Sequence, residues 1–474
     1  MNGVCDLAII GMAVMGQNLA LNIAGKGYSV AVYNRTPSKT EDLLQRKTDQ
    51  ELIYPTYRIE DLIDSLKKPR KIMLMVKAGA PVDEFITLLN PLLKKGDLII
   101  DGGNSYYKDT ERRLREVENR GLLYLGTGIS GGEEGALHGP SIMPGGHSAG
   151  YDLVQDIFLK AAAQTEDGPC CTYLGQGGAG HFVKMVHNGI EYALMELIAE
   201  CYDLMRKALK MEPPAMAAVF ERWNHSDDLN SYLFEITANI LKHFDQETGH
   251  SLIDLILDEA EQKGTGKWTS QISFDFGIPT PVINQAVVAR TLSSFKETRL
   301  RQSEKYRWDK PDPPVSESNE FLSRFSDALF IGILVAFNEG MHLLSTASRE
   351  KSWNLPLPEI ARIWKGGCIL RTRLLNRIQK ALSNQNHGFL LESPDFVPDI
   401  HKKIISLRKT NILGIEHHVP LPAFHAVLSS LDGWTSPLLP ANLIQAQRDY
   451  FGAHTYRRID REGIFHTRWE EEKL

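Results

Sequence analysis

The chain has 474 residues, 42% of them hydrophobic and 24% charged, with 53 basic and 59 acidic residues and a formal net charge of −6. That length exceeds what one core can hold and predicts two or three globular domains. The charge balance, with no basic run or tail, speaks against a nucleic-acid partner.

The longest apolar run, Ala328 to Phe337, is about half a membrane span. Asp327 and Glu339 close it, so it predicts a buried helix and no membrane partner. The N-terminus enters an apolar strand without a basic leader or a cleavage site. Five cysteines, odd in number and without C-x-x-C spacing, read as reduced thiols of a cytoplasmic protein. The adjacent pair His417-His418 diverges on any regular element, and no H-E-x-x-H occurs, so no metal site is expected.

Asp6 to Ile10 predicts a first strand, followed by the turn Gly11-Met12-Ala13-Val14-Met15-Gly16, a helix through Ala24, and a second strand from Ser29 to Tyr33. This is a βαβ unit with a G-x-A-x-x-G turn. The outer glycines permit the tight turn and close helix–strand packing. The small Ala13 lets a pyrophosphate approach the helix N-terminus. Where an NAD enzyme carries an acid after the second strand, this chain has Asn34, Arg35 and Thr36. A carboxylate there would repel a 2′-phosphate, whereas Arg35 can pair with it, so NADP is the expected cofactor. Thr36 and Pro37 also suit the first turn of a helix. Strands at Lys71 to Val76 and Asp97 to Ile100 end in Lys77-Ala78-Gly79 and Asp101-Gly102-Gly103-Asn104-Ser105. Such exits line the ligand cleft of an open parallel sheet. A third exit carries Ser130-Gly131-Gly132, whose hydroxyl and backbone N–H groups suit a substrate carboxylate.

The Gly-rich stretch Leu174 to His181 predicts a domain boundary, with helices dominating to about residue 435. Read as a helix, Lys184, His187, Asn188 and Glu191 share one face with Tyr192 at its edge, while Met185, Val186, Ile190 and Ala193 turn away. One face thus presents an ammonium, an imidazole, an amide and a carboxylate. The alternative is a solvated helix face, although the usual Glu-to-Lys spacing of such faces is missing. A long helix followed by a Pro turn and Ala218-Val219-Phe220-Glu221-Arg222-Trp223-Asn224 is echoed by a second long helix and Ile360-Ala361-Arg362-Ile363-Trp364-Lys365-Gly366, which points to a duplicated helical unit. The charged, Pro-rich segment Lys296 to Glu320 reads as an exposed loop between the halves. Lys263, Thr265 and Lys267 in a Gly-flanked turn, and Arg290 on a following helix, can each hold a phosphate or carboxylate. The polar tail from Gln447 onward has few core positions and is either frayed or docked on another subunit.

These pieces resemble the 6-phosphogluconate dehydrogenase (decarboxylating) family, in its long-chain, dimeric, NADP-dependent form. The shared stretches run end to end: GMAVMG, NRTPSK, DGGNS, ISGGEEGA, GPSIMPGG, HFVKMVHNGIEYALMELIAE, QKGTGKWT, WKGGCILR and RDYFGAHTYRR. The resemblance implies an NADP-binding Rossmann-like α/β domain over residues 1–177, an all-helical domain over 178–436 and a tail over 437–474 docking on the partner of a homodimer. It implies oxidative decarboxylation of 6-phosphogluconate, with Lys184 as general base and Glu191 as the acid. Asn104, Ser130, Gly131, Gly132, His187 and Asn188 become substrate-binding groups. Tyr192, Lys263, Thr265 and Arg290 become binders of the sugar phosphate, joined by Arg448 and His454 from the partner's tail. The cofactor contacts would be Gly11 through Gly16, Asn34, Arg35, Thr36, Val76, Lys77, Ala78 and Asn104. The chain departs from the family pattern at Leu137, where arginine is common and a charge near the substrate turn is lost, in the apolar helix 328–340, and at His225-Ser226. Two other readings share features with this one. A non-decarboxylating β-hydroxyacid dehydrogenase is much shorter and has no need of Glu191. A silent nucleotide-binding scaffold would have no need of Lys184.

Overall fold

Short, unbroken apolar runs are buried on both faces and pair in parallel. Leu7–Ile10 (β1), Val30–Tyr33 (β2), Ile53–Pro55 (β3), Lys71–Leu74 (β4), Leu98–Asp101 (β5), Leu123–Ile129 (β6) and Ile142–Gly146 (β7) form one sheet in the order β3-β2-β1-β4-β5-β6-β7. Only β7, on β6, is antiparallel. Two apolar cores lie against this sheet, one containing Leu7, Ile9, Val30 and Leu98 and the other Ala8, Ile10, Ala31 and Ile99. The alternation of neighbouring residues between them is the two-sided burial expected of a doubly wound fold. The computed structural model describes residues 4–48, 52–262, 264–306, 319–384 and 388–469. The chain divides into two units, Met1–His425 and Ala426–Leu474.

The helical region begins with Ala179–Lys207, laid directly on the sheet. A Cβ on Gly180 would sit 2.3 Å from the Gly126 carbonyl oxygen and 2.4 Å from that of Met143. The Gly-rich stretch read as a boundary therefore differs in its second half: Ala179, Gly180 and His181 already belong to the helix, and the glycine serves close approach. The 32-residue helix Asn319–Glu350 packs against this first long helix. Gly332 admits Leu197 and Gly340 admits Ile190, whose side chains would lie 2.9 Å and 2.4 Å from an added Cβ. Asn319–Glu350 is long and apolar enough to cross a membrane, but 94% of its apolar window is buried inside the protein.

The expected duplication is visible in the order of elements. Each long helix is followed by a Pro turn and a short helix ending at a tryptophan: Pro213–Asn224 with Trp223, and Leu357–Ile363 with Trp364. The halves are also linked reciprocally. Glu339 on the second long helix accepts the N–H groups of Val282 and Ile283, at the start of Pro281–Ser293. Glu200 on the first accepts those of Ala423 and Phe424, at the start of Pro422–Trp434. Each buried carboxyl group satisfies helix-terminal donors from the other half.

Lys296 to Glu320 departs from the exposed loop expected of it. Lys296–Lys305 is a helix without a buried residue. It lacks an apolar period because no face is covered, but its Lys, Glu, Arg, Gln and Leu residues favour helix, and Arg299 pairs with Asp258. Residues 307–318 lie outside those described.

The tail unit is folded around one carboxylate. Asp449, on the helix Ala441–Gly452, is buried and accepts from the backbone N–H of Thr455 and Thr467, His466 Nδ1 and Trp469 Nε1 at 2.9–3.0 Å. Desolvation opposes its ionisation, yet these donors hold its pKa down to about 2.

Replacing Glu339 with leucine keeps the bulk but leaves two buried N–H groups unmet. Glu339→Leu should lower the free energy of unfolding by about 2–3 kcal/mol, read as a fall in the urea midpoint; an unchanged midpoint would deny the cap its role.

Candidate active site

The turn after β1 is built to be bare. Gly11 has φ +104°, and a Cβ there would lie 2.4 Å from the Met75 carbonyl oxygen; one on Gly16 would lie 1.8 Å from that of Gly11. No side chain caps the following helix, Val14–Gly25, whose N-cap is Ala13. Its N-terminal N–H groups and the cradle in front of them suit a pyrophosphate. Asn34 braces this turn: its Oδ1 accepts the Met12 N–H at 3.0 Å, and its Nδ2 donates to the Thr36 carbonyl. Thr36 takes the N-cap position of Pro37–Arg46 without a side-chain cap bond. Arg35 stands exposed beside it.

The exits of β4 and β5 border the same turn. Val76 and Ala78 are half-buried, and Lys77 and Asn104 are exposed. Gly103 packs at 3.0 Å, measured from an added Cβ, on the Val76 carbonyl oxygen. Beneath them Asp101, fully buried, receives the Ser105 hydroxyl at 2.6 Å, the Gly103 N–H at 3.1 Å and Arg113 Nη1 at 3.4 Å. Arg113 also binds Asp83 and the Gly79 carbonyl, so one buried guanidinium ties both exits together. Nothing in the motif spacing points to Arg113; its signal is an arginine at an otherwise inward position of Tyr107–Glu118.

The face that carries Lys184 is not solvated. Lys184 and Tyr192 are buried at 6% exposure and His187 at 0%; the Glu191 side chain is 21% exposed. The lysine stem lies on β6, where a Cβ on Gly128 would come within 2.4 Å of the Lys184 Cβ. His187 is held at both nitrogens: Nδ1 lies 3.1 Å from Asn188 Oδ1 and Nε2 lies 3.3 Å from the Ser130 hydroxyl. The amide oxygen can only accept, so Nδ1 carries the proton and Nε2 receives the Ser130 O–H. Asn188 Nδ2 then donates to Thr265 Oγ1 at 3.0 Å. Thr269 donates to the Met185 carbonyl at 2.8 Å, and the bare Gly189 leaves room for it. Arg290 lies over the Tyr192 ring, its Cζ 3.5 Å from the centroid.

Burial sets the charges. It drives the Lys184 ammonium below the usual lysine range, against the pull of the Glu191 carboxylate. It raises the Glu191 carboxyl, opposed by Lys184 and Arg290. His187 is pushed well down by burial and by the Lys184 charge, and so is neutral. A lysine brought toward neutrality and a carboxyl brought toward protonation are suited to act as a base and an acid, and here they share one rigid helix.

Ser130, Lys184, His187, Asn188, Glu191, Tyr192, Thr265 and Arg290 are therefore brought together. Gly131 (φ +111°) and Gly132 (φ +60°) form the turn beside Ser130, and Gly131 is packed on Gly367, whose oxygen would lie 2.7 Å from an added Cβ. This contact and the Trp364 ring edge-on to His187 draw the second helical half into the site. Lys263 lies outside the described residues. Arg448 and His454 belong to the tail unit, on and just after its helix. Leu137 is a correction: it packs against the apolar core, beside Leu21 and Gly25, so its loss of charge falls on the side of helix Gly132–His138 that faces Val14–Gly25.

The family model described as the NAD binding domain of 6-phosphogluconate dehydrogenase matches residues 6–175, and that described as the C-terminal domain of the same enzyme matches 180–469. A decarboxylating, NAD(+)-dependent 6-phosphogluconate dehydrogenase of Bacillus subtilis is 49% identical over 98% of this chain and 99% of its own. The NADP(+)-dependent enzyme of the same organism and the decarboxylating enzyme of Escherichia coli are each 47% identical over the same shares. The solved Plasmodium falciparum 6-phosphogluconate dehydrogenase superposes with a TM-score of 0.94 at 46% identity, over 98% of this chain and 100% of that one.

The seat of Lys184 on β6 has no space for a methyl group. Gly128→Ala should cut kcat by about 100-fold or more through displacement of the lysine, with dinucleotide affinity unchanged by titration. Full turnover would show that the seat does not position Lys184.

Proposed function

Because the chain belongs to the 6-phosphogluconate dehydrogenase family, we propose that it oxidatively decarboxylates 6-phospho-D-gluconate to D-ribulose 5-phosphate and CO₂, with NADP⁺ as oxidant, in the cytoplasmic pentose phosphate pathway. The observation that carries this reading is the buried face of Lys184, His187, Asn188 and Glu191, closed by Ser130 and Thr265. Both chains of each full-length match are spanned almost completely, which removes the shorter β-hydroxyacid dehydrogenase.

The bare turn at Gly11 to Gly16 holds the dinucleotide pyrophosphate, and Arg35 with Thr36 takes the 2′-phosphate. Relatives named for NAD(+) and for NADP(+) match nearly equally, so the preference for NADP rests on Arg35 and on the absence of an acid at position 34. A dinucleotide held by these residues would supply the hydride acceptor for carbon 3 of the substrate. Neutral Lys184 takes the proton of the C3 hydroxyl during oxidation. Its ammonium then returns a proton to the ketone oxygen as the carboxylate leaves as CO₂. Glu191 protonates carbon 1 of the resulting enediol, while Lys184 recovers the hydroxyl proton. Neutral His187, fixed by Asn188, keeps its Nε2 toward Ser130 and the substrate turn. Tyr192, Thr265, Lys263 and Arg290 take the sugar phosphate, and Asn104 and the Ser130-Gly131-Gly132 turn take the other end of the substrate.

The parts divide as a dinucleotide domain (1–177), a substrate and dimerisation domain (178–436), and a tail (437–474) that lends Arg448 and His454 to the partner subunit. Leu255, Ile256, Phe274, Val288, Leu292 and Phe295 are about half exposed or more, an apolar surface suited to a second copy of the chain.

Equal yields of NADPH and CO₂ from 6-phosphogluconate and NADP⁺ are expected; NADPH alone would overturn the reaction. Activity needs Lys184 neutral and Glu191 protonated. It should therefore rise with pH through one ionisation and fall through another, whichever of the two pKa values is lower. Glu191→Gln should lower kcat by about 10²–10⁴-fold and remove the falling alkaline limb; a retained limb would take the acid role from Glu191. Mixing Lys184→Ala and Arg448→Ala protomers should recover about a quarter of wild-type activity, since half the dimers then hold one intact site if tails are exchanged. No recovery would place each tail in its own subunit's site.

A further inference from the structure

Arg35, on which the choice of NADP rests, is already engaged. Its Nη2 donates to Glu84 Oε2 at 2.6 Å, and its Cζ lies 5.2 Å from the ring centroid of Phe85. Both partners come from one turn of the helix Ala80–Leu89, which follows the Lys77-Ala78-Gly79 exit. Asn34 offers no competition for the guanidinium. Its oxygen is committed to the Met12 N–H and its amide nitrogen to the Thr36 carbonyl. The acid absent from the end of β2 thus has a counterpart on another element, facing the same arginine.

The pair joins one N–H to one oxygen, and its side chains are 62% and 54% exposed. Such a pair is screened by water and weak. It is nonetheless directed against one ligand only. A 2′-phosphate on Arg35 must either displace the Glu84 carboxylate or share the guanidinium with it as a second anion. A dinucleotide without that phosphate meets neither cost. The carboxylate and the phosphate are like charges within reach of one planar fork, so their contest appears in the binding of NADP and not of NAD.

We propose that Glu84 is a specificity-determining residue, which weakens the chain's preference for the 2′-phosphorylated dinucleotide by competing for Arg35. The proposal rests on the NADP reading above. Its test is titration of the full-length protein with NADP⁺ and with NAD⁺, as wild type, Glu84→Gln, Arg35→Ala and the double variant. Glu84→Gln keeps length and polarity while removing the charge. It should tighten NADP⁺ about three- to fivefold, the ratio an exposed pair carries, with NAD⁺ unchanged and the gain shrinking in high salt. In the Arg35→Ala background the same substitution should gain nothing. An unchanged or weaker NADP⁺ affinity, equal shifts for both dinucleotides, or a gain that persists without Arg35 would each overturn the competition. If Arg35→Ala itself leaves the NADP⁺ to NAD⁺ ratio at its wild-type value, the NADP reading falls first and the proposal with it.

Discussion

The constraint on which the structure depends is the contact between the N-terminal half of Ala179–Lys207 and the sheet edge at β6 and β7. Gly128, Gly145 and Gly180 are placed so that backbone meets backbone or the lysine stem with no Cβ between them, and the bare Gly126 leaves room for the Thr110 and His181 side chains. A helix that close cannot rock on the sheet, because interiors this dense repack only in discrete steps. Lys184 is therefore fixed relative to the strand exits that border the dinucleotide turn. The sheet supplies the cofactor end of the site and the helix supplies the proposed acid and base, and the glycine contact keeps the two in register.

Burial of that helix face does chemical work that the residue types alone could not. On a solvated face Lys184 would be a cation and Glu191 an anion, each useless for the task proposed for it. Enclosed together, each is pushed toward its neutral form, and each partly restrains the other. His187 is neutral for the same reason, and its tautomer follows from the amide of Asn188. The charges of the site are thus a property of packing.

The parallel sheet, the long helices and the face of Lys184 to Glu191 were legible in the sequence, because each rests on a local period or a short motif. What was not legible depends on partners far along the chain. Glu339 reads as the polar end of an apolar run until the start of Pro281–Ser293 is placed over it. Arg113 reads as one charge among many on Tyr107–Glu118 until Asp83 and Asp101 converge on it. Lys296–Lys305 was missed for the opposite reason: a helix with no buried face leaves no apolar period to find. The tail has few core positions in its sequence and reads as frayed or docked; its centre is a carboxylate, Asp449, satisfied by four donors.

The duplicated helical unit explains why so large a region serves so small a site. In each half a long helix offers a buried glutamate to a helix start contributed by the other half, Glu339 to Val282 and Glu200 to Ala423. Each half thus leaves one helix start to be satisfied by the other, which couples the two. The site uses that coupling: Lys184, His187 and Glu191 come from the first half, while Trp364 and Gly367 press on His187 and Gly131 from the second. A fold made of the first half alone would keep Lys184 and Glu191 but lose the wall that encloses them. Since enclosure moves both groups toward their working protonation states, the second half is part of the chemistry through the dielectric it imposes, although the proposed base and acid lie outside it.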